Sequence, residues 1–271
     1  MLTSRSAGKQ RGEVATSKQG MAARLQLRIG TSGWHYKHWV GRFYPAKTSG
    51  AKMLPIYLQH FDTVELNNSF YRLPKIETME CWRDSVPRDF LFAVKASRYI
   101  THNLKLKNPQ NSLDRFLPVA EALGRKLGPI LFQTPPAWKV NVERLDEFLS
   151  LMPPQNRYAF EFREPSWMTD KVYDVLRRHN AALVIFEIAG YHAPFEITAD
   201  WTYVRLHGPG GKYQGSYAEE TMRRWAQRLA GWYADGIASY TYFDNDDSAF
   251  AVDNALTLKR MLREEQGLRA A

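Results

Sequence analysis

The sequence has few of the features that mark secreted or membrane-bound proteins. Its 271 residues include a single cysteine, so no disulfide can form within the chain. No run of apolar residues approaches the roughly 18 that a membrane-spanning helix needs. These absences favour a cytoplasmic protein without a membrane partner. Cys81 lies in a segment of helical periodicity, residues 75–86, where we expect a packed thiol and not a nucleophile.

Acidic residues are in the minority, and the excess of basic residues is uneven. Lys and Arg number 37 against 28 Asp and Glu, which gives a formal net charge of +9. Residues 1–24 contribute +4 of it, with five basic residues against Glu13 alone, and leave +5 for the rest. This segment has no periodic pattern and no apolar stretch, so we predict a disordered basic tail, with Met21 as an alternative start, followed by one domain over residues 25–271. A basic chain is compatible with nucleic acid or anionic ligands.

A repeat of strand-like and helix-like segments fills the rest of the sequence. Eight apolar segments typical of buried strands begin at residues 27, 63, 90, 128, 158, 182, 202 and 238. Amphipathic helical segments follow most of them, although residues 197–201, between the sixth and seventh strands, are only weakly helical. Ser216 and Glu219 form a capping-box pattern before the helix that follows the seventh strand. This repeat predicts an α/β fold, a single-domain (β/α)8 TIM barrel.

The fifth strand, YAFEFR at residues 158–163, carries charged residues at alternate positions. In a barrel strand, alternate side chains point to the lumen and to the surrounding helices, and the carboxyl ends of the strands form the active-site mouth. Phe160 and Phe162 are therefore expected to face the helices, while Glu161 and Arg163 face the lumen and its mouth. Other strands direct further polar residues to the same mouth: Glu65, Asn67, Lys95, Gln133, Arg205, His207, Asp244, Asn245 and Asp246.

The residue types in this set suit an anionic ligand and proton transfer. Lys95, Arg163 and Arg205 are suited to phosphate or carboxylate, and arginine can offer either group two parallel hydrogen bonds. Carboxylates and a histidine beside them can exchange protons with a bound molecule. The predicted catalytic residues are Glu65, Lys95, Glu161 and His207.

Loop residues at the same ends of the strands extend the predicted site. The glycine-rich segment HGPGGKYQGSY, residues 207–217, follows the seventh strand, where barrels often bind phosphate, although a flexible surface loop explains its composition equally well. Aromatic residues after several strands could stack on a sugar or a base. The predicted aromatic contacts are Trp34, Tyr71, Trp167 and Tyr213.

A metal site is the less favoured hypothesis for the mouth. Glu65, Glu161, His207 and Asp244 include the residue types that bind divalent ions. Basic residues lie on the same strands, however, and their charge opposes metal binding. We therefore predict no metal ligands and no cofactor, with a divalent metal as the alternative.

Seven segments of the chain, from about residue 27 to 260, resemble the domain of unknown function 72 family. They are, in order, GTSGWHYKHWVGRFYP, VELNNSFYRLP, FLFAVKASRYITH, GPILFQTPP, FEFREPSW, YVRLHG and YFDND. The resemblance implies a TIM barrel without an established activity, similar in shape to xylose-isomerase-like barrels and to metal-dependent endonucleases that act on abasic DNA. Similarity of fold does not transfer function.

The family's motif positions fall on residues of the predicted site. They are Glu65, Asn67, Lys95, His102, Gln133, Glu161, Arg163, Arg205, His207 and Asn245. In one departure, Glu164 stands where the family often has a histidine, which weakens any mechanism that uses that histidine. The predicted ligand-binding residues are Trp34, Asn67, Tyr71, His102, Gln133, Arg163, Trp167, Arg205, Tyr213 and Asn245.

Three functions are compatible with these observations. The favoured one is an enzyme that acts on a phosphate- or carboxylate-bearing small molecule by acid–base chemistry without a metal. Phosphodiester hydrolysis or binding of nucleic acid is the alternative that the net charge and the aromatic residues suggest. A ligand-binding protein without catalytic activity is the third.

Overall fold

The computed structural model describes the backbone of residues 26–270 and the side chains of residues 26–267. The predicted basic tail lies outside the described residues. None of the helices in the described part of the chain has the length and apolar character that crossing a membrane requires.

The eight predicted strands are present, each within a few residues of its expected bounds. Nearly all their residues are buried, as expected of parallel strands covered on both faces. A ninth, two-residue strand was not predicted. The strands are Leu27–Thr31 (β1), Thr63–Leu66 (β2), Leu91–Lys95 (β3), Leu127–Gln133 (β4), Tyr158–Glu161 (β5), Ala182–Ile188 (β6), Tyr191–His192 (β7), Trp201–Leu206 (β8) and Ala238–Phe243 (β9).

The strands form one parallel sheet that curls into a nearly closed barrel. Their order is β1-β9-β8-β6-β5-β4-β3-β2, and β7 adds to β6 as an antiparallel strand. Ser32, directly after β1, forms a parallel bridge with Glu65 of β2, which brings the two ends of the sheet together. Gly30 allows this approach, because a Cβ atom there would lie 2.5 Å from the carbonyl oxygen of Thr63. The predicted fold class is confirmed.

Helices connect most strands and cover the outside of the barrel. Phe132 and Phe160, on β4 and β5, are fully buried and pack on Phe148 of the helix that follows β4. The side chain of Asn141 caps that helix by accepting a hydrogen bond of 2.8 Å from the Arg144 backbone. The helices are Gly50–Tyr57 (α1), Asn68–Tyr71 (α2), Ile76–Asp84 (α3), Gln110–Glu121 (α4), Val142–Ser150 (α5), Asp170–Arg178 (α6), Glu219–Ala234 (α7) and Phe250–Ala270 (α8).

The lower part of the lumen is filled by apolar and aromatic side chains. Trp201 and Tyr240 meet edge to face with ring centroids 5.7 Å apart, and Tyr203 and Tyr242 are 5.3 Å apart. These rings come from β8 and β9, whereas the other strands contribute mostly small side chains to the same cluster. We call this layer the lower lumen; it consists of Ala93, Leu131, Ala159, Ala182, Val184, Trp201, Tyr203, Ala238, Tyr240 and Tyr242.

The connection from β6 to β8 contains no helix, so the expected weak helix at residues 197–201 is wrong. Thr198 fixes this segment to the start of β6, because its hydroxyl donates to the Ala181 carbonyl (2.7 Å) and accepts from the Leu183 amide (2.8 Å). Trp201 then opens β8 and is buried in the lower lumen. Tertiary hydrogen bonds and burial outweigh the weak local preference for a helix.

Two local expectations are also wrong. Ser216 does not cap α7, which begins after Ala218 without a side-chain cap, and the Ser216 hydroxyl instead accepts a hydrogen bond from Asn254. Cys81 is an exposed free thiol and not a packed one. It lies on the solvent side of α3, while Met79 two residues earlier is fully buried.

Candidate active site at the mouth of the barrel

A cluster of ionisable side chains lies directly above the lower lumen, at the carboxyl ends of the strands. Glu65, Glu161, Arg205 and His207 are fully buried, and Lys95 is 8% exposed. They come from four different strands, or from the residue that follows a strand, as the alternation of side chains predicts. Half-buried polar residues surround them. The structure thus brings together the four predicted catalytic residues in one place.

Arg205 is the centre of this cluster. Its Nε and Nη2 atoms donate to the two oxygens of Glu65 at 3.0 and 2.7 Å, which is a bidentate pair. Its Nη1 atom donates to Glu161 Oε2 at 2.8 Å, and Nη2 also lies 3.2 Å from Asp244 Oδ2. Three carboxylates therefore share one guanidinium, and all three nitrogens of Arg205 are engaged within the protein.

Arg163 pairs with Glu161 from the outer side of the cluster. Its Nε atom donates to Glu161 Oε1, and its Nη2 atom donates to His207 Nε2 at 2.9 Å. His207 Nδ1 lies 3.0 Å from Asp244 Oδ2, although not in the alignment of a regular hydrogen bond. An Nε2 atom that accepts from arginine requires the neutral ring with its proton on Nδ1. The predicted mutual pairing of Glu161 and Arg163 is present, and Arg163 keeps Nη1 without a partner in the described part of the chain.

Two carboxylates of the cluster, Glu161 and Asp244, are held in their charged form. Burial alone would raise the pKa of Glu161, but Arg163, Arg205 and His207 together keep that pKa well below its usual value. The pKa of Asp244 is also lowered, since its 3.0 Å contact with the His207 ring and the charge of Arg205 outweigh burial. The mouth therefore carries three carboxylates against Lys95, Arg163 and Arg205.

Lys95 differs from the two arginines because no carboxylate contacts it directly. Its Nζ atom lies 4.4 Å from the centroid of the Phe70 ring. No hydrogen bond or salt bridge joins that atom to another described residue. Burial and, second, the charge of Arg205 lower the pKa of Lys95 to about 8, against the opposing effect of Glu65, Glu161 and Asp244. An amine in a largely buried residue without a bonded anion has a free-energy cost in its charged form, which is why its pKa is lowered.

Several buried polar atoms around the mouth have no partner. Of six such side-chain atoms in the described part of the chain, four belong to predicted site residues: Asn67 Oδ1, Gln133 Oε1, His207 Nδ1 and Asn245 Oδ1. The orientation of two of these amides is fixed by their Nδ2 groups. Asn67 Nδ2 donates to Ser32 Oγ, whose own proton goes to Glu65, and Asn245 Nδ2 donates to the Gly215 carbonyl at 2.8 Å. Buried polar atoms without a partner are rare in proteins, so the mouth has unused hydrogen-bonding capacity.

The predicted ligand contacts divide into those at the mouth and those in the outer core. Tyr213 lies 5.5 Å from the His207 ring and its amide donates to the His207 carbonyl, while Tyr71 is 75% exposed beside Phe70. His102 also contacts Phe70, with ring centroids 5.2 Å apart, and burial followed by the charge of Lys95 lowers its pKa.

The two predicted tryptophans are not brought to this group. Trp34 packs against Trp82 of α3 at 5.4 Å, and Trp167 stacks on Phe162 at 4.4 Å. The indole N–H of Trp167 donates to the Trp138 carbonyl at 2.7 Å. Both rings are buried among side chains outside the barrel wall. A residue that follows a strand can face outward as readily as inward, and these two face outward.

Other residues of the site did not enter the sequence-based prediction. The Ser32 hydroxyl donates to Glu65, and the Tyr203 hydroxyl donates to the other oxygen of Glu65 at 2.7 Å. The Tyr36 hydroxyl donates to the Ser32 carbonyl at 2.6 Å. Serine and tyrosine are common residues, and no sequence motif marks Ser32 or Tyr203. Only their contact with Glu65, on another strand, shows that they belong to the site.

The donor set does not fit a divalent metal held by the four residues considered above. The Arg205 guanidinium occupies the space between Glu65, Glu161 and Asp244, where the ion would have to lie. Within residues 26–267, no group of three or more His, Cys, Asp or Glu side chains is arranged to hold a metal ion. The sequence-based expectation that no cofactor is used stays a prediction.

Glu164, which replaces the family's frequent histidine, turns away from the cluster. Its carboxylate accepts a hydrogen bond of 3.0 Å from the Ser166 amide and one from the Ser166 hydroxyl. It therefore caps the short 3-10 helix Pro165–Trp167.

Comparison with known proteins gives one consistent result. A family model described as "Protein of unknown function DUF72" matches residues 28–271. The UPF0759 protein YecE of Escherichia coli (strain K12) is 25% identical over 264 residues, which covers 88% of this chain and 93% of that protein. The UPF0759 protein YunF of Bacillus subtilis (strain 168) is 26% identical over 270 residues, with 87% and 94% covered.

Solved structures of the same family share the barrel. The crystal structure of a DUF72 family protein from Thermotoga maritima MSB8 superposes with a TM-score of 0.76 at 28% identity, and covers 88% of this chain and 99% of that one. A DUF72 family protein from Enterococcus faecalis V583 gives a TM-score of 0.72 at 18% identity, with 88% and 96% covered. The second similarity concerns the fold alone.

Proposed function

The chain belongs to the DUF72 family of proteins of unknown function, and we propose that it is an enzyme that acts on an anionic small molecule at the mouth of its barrel. In this proposal Arg163 binds the phosphate or carboxylate of the substrate, and Lys95 exchanges a proton with it. Glu161 and His207 hold Arg163 in place, and Glu65 holds Arg205. The observation that carries the proposal is the amine of Lys95, a residue that is 8% exposed at the mouth and has no bonded anion.

Arg163 is better suited than Arg205 to contact the substrate. Arg205 is fully buried and all three of its nitrogens are engaged with neighbouring side chains. The side chain of Arg163 is 10% exposed, and its Nη1 atom has no partner among the described residues. An incoming anion can therefore pair with Arg163 without breaking the Arg205 network. This assignment narrows the expectation from sequence, in which both arginines bind the anion.

Lys95 has a pKa suited to acid–base chemistry near neutral pH. A general acid or base works best when its pKa lies close to the operating pH, and burial brings that of Lys95 from 10.5 to about 8. Glu161 and Asp244, whose pKa values are lowered, stay ionised at that pH and are poor proton donors. We therefore assign the proton transfer to Lys95 and a supporting role to the carboxylates.

The test is a thermal-shift screen of the purified full chain. The panel contains inorganic phosphate, phosphorylated sugars and sugar acids, with the corresponding neutral sugars as matched controls. A ligand at 100 times its Kd stabilises the folded state by about 2.7 kcal/mol, so binding should raise the melting temperature measurably. We expect stabilisation by the anions only, and its loss in Arg163→Gln.

Arg224→Gln is the matched control variant. Arg224 is an exposed arginine on α7 that pairs with Glu220 four residues earlier, away from the mouth. It should respond to the anions as the wild type does. Absence of stabilisation by every anion, or full stabilisation of Arg163→Gln, would contradict the proposal. Stabilisation without turnover of the bound compound would favour the ligand-binding alternative.

A further inference from the structure

We infer that Lys95 is a nucleophile that forms an imine with the carbonyl carbon of its substrate, which is an aldehyde or ketone that carries hydroxyl groups and an anionic group. The inference rests on the proposed function and deepens it, because it names the substrate class and assigns Lys95 a covalent role. Two observations support it: the environment of the Lys95 amine, and the hydrogen-bonding type of the unpartnered polar atoms at the mouth.

The surroundings of Lys95 are those that activate a lysine. A lysine amine becomes nucleophilic near neutral pH when it is desolvated beside apolar groups or placed next to another cation. Lys95 has both conditions, since it is 8% exposed against the Phe70 ring and lies close enough to Arg205 for that charge to lower its pKa. The carboxylates of Glu65, Glu161 and Asp244 oppose the shift, but none of them bonds to the amine.

The backbone holds Lys95 at the base of the mouth. Lys95 ends β3, and the Ser69 hydroxyl donates to its carbonyl oxygen at 2.6 Å. In the adjacent strand pair, Gln133 lies opposite Glu161 in the register, so the Gln133 side chain comes from the strand between Lys95 and Glu161. A substrate carbonyl that reaches Lys95 is therefore flanked by the polar side chains of β4 and β5.

The unpartnered atoms indicate which groups the substrate carries. Asn67 Oδ1 and Gln133 Oε1 are both hydrogen-bond acceptors, whereas the amide of Asn245 lies against Gly215 and Asn254 of α8. The two acceptors require donors, and the hydroxyl groups of a sugar or a hydroxy acid supply them. Arg163 Nη1 offers N–H groups to an anion. Together these groups fit an open-chain sugar phosphate or an oxidised sugar acid better than a purely anionic ligand such as free phosphate.

The covalent step balances without any additional reactant. The free amine of Lys95 attacks the carbonyl carbon, a carbon–nitrogen bond forms, and the carbonyl oxygen takes a proton to become a hydroxyl. The nitrogen loses one proton, and the hydroxyl leaves as water after a second protonation, which gives a protonated carbon–nitrogen double bond. Loss of the second proton from nitrogen gives the imine. The net change is carbonyl plus amine to imine plus water. His102 can exchange these protons. Its Nδ1 atom is hydrogen-bonded to the Thr101 hydroxyl (2.9 Å), which leaves its Nε2 atom for the substrate.

The test uses D-glyceraldehyde 3-phosphate with cyanoborohydride at pH 7.5, followed by peptide mass spectrometry of the full chain. Cyanoborohydride reduces the protonated imine and leaves a stable mass increase on the lysine. Since Lys95 has a pKa of about 8 and an ordinary lysine has one of about 10.4, we expect labelling of Lys95 at least about tenfold faster than that of Lys171, an exposed residue of α6. Unphosphorylated D-glyceraldehyde should label Lys95 more slowly.

Two variants separate this inference from the proposed function. Lys95→Arg keeps the positive charge but cannot form an imine. It should therefore lose the fast label and still be stabilised by the phosphorylated ligands of the thermal-shift panel. Arg163→Gln should retain an activated Lys95 but lose the preference for the phosphorylated aldehyde.

The possible results distinguish the imine at Lys95 from the binding of an anionic substrate. Slow labelling of Lys95 in a protein that the phosphate stabilises through Arg163 would overturn the imine and leave the proposed function standing. Equal labelling by the phosphorylated and neutral aldehydes would overturn the anionic substrate. Absence of both labelling and stabilisation would overturn both statements.

Discussion

The lower lumen and the mouth are adjacent layers of side chains in the same barrel, but different interactions hold them together. In the lower lumen, Tyr242 meets Thr63 at 2.7 Å and its remaining surface is apolar, so burial raises its pKa and keeps it neutral. In the mouth, burial is opposed by paired charges, and Glu161 stays ionised. Tyr203 connects the two layers, since its ring packs below and its hydroxyl donates to Glu65.

This difference indicates where stability and function are separated in the molecule. The lower lumen gains free energy from apolar area removed from water and from close packing. The mouth gains little net stability, because the cost of desolvating charges offsets their attraction. A protein under selection for stability alone would fill the mouth as it fills the lower lumen. The presence of Lys95 in this layer without a bonded anion supports the functional role proposed for it.

The largest expected effect comes from removing the centre of the charged layer. Arg205→Ala leaves Glu65, Glu161 and Asp244 without their shared cation, and should lower the free energy of unfolding by about 3–5 kcal/mol in urea titrations at pH 7. Arg224→Ala, which breaks an exposed pair, should cost at most about 1 kcal/mol. Equal effects of the two changes would remove the distinction between the mouth and an ordinary charged surface.

The effect of Arg205→Ala should also depend on pH in one direction. The pKa values of Glu161 and Asp244 are lowered in the folded protein, so the stability that they contribute is present above their unfolded pKa values and is lost as the pH falls through the folded ones. The difference between wild type and variant should therefore decrease when unfolding is measured at progressively lower pH below about 4.5.

A change in the lower lumen should cost somewhat less and should not depend on pH. Leu131 is fully buried in that layer, and Leu131→Ala removes three methyl or methylene groups and leaves a cavity, which should lower the free energy of unfolding by about 3 kcal/mol. The loss should be equal at pH 5 and pH 8, because no titrating group is removed. A loss that changes with pH would show that the two layers are coupled more closely than their contacts indicate.

The smallest effect has the opposite sign. Lys95→Met removes an amine whose pKa is lowered to about 8, so it should stabilise the protein by about 1–3 kcal/mol at pH 7. The wild type carries this penalty fully below pH 8, and it fades as the pH rises from about 8 towards 10.5. The stabilisation by Lys95→Met should fade over the same range.

Lys171→Met provides the control for that experiment, since Lys171 is exposed on α6 and its removal should leave stability nearly unchanged at every pH. Loss of stability in Lys95→Met would mean that the amine supports the fold, and would remove the argument that the mouth retains it for function.

Local patterns predicted the barrel and most of the mouth. Alternation of side chains along a strand has a fixed period of two, so the sequence around Glu161 is enough to assign Phe160 outward and Glu161 inward once a barrel is assumed. The β6–β8 connection was harder to predict, because Thr198 is held there by hydrogen bonds to residues about fifteen positions away. Trp34 and Trp167 were equally hard, since loop residues after a strand follow no periodic rule.

The sequence by itself determined which side chains reach the lumen, because strand geometry is local and needs no knowledge of the partner strands. Only the tertiary structure decided how those side chains pair. Arg205 contacts Glu65, 140 positions away in the chain, and Ser32, 173 positions away. As a result of this pairing Arg205 is enclosed, Arg163 is partly exposed and Lys95 has no bonded anion. Such pairing depends on closure of the barrel, which brings the ends of distant strands within hydrogen-bond distance, and no local pattern in the sequence records that distance.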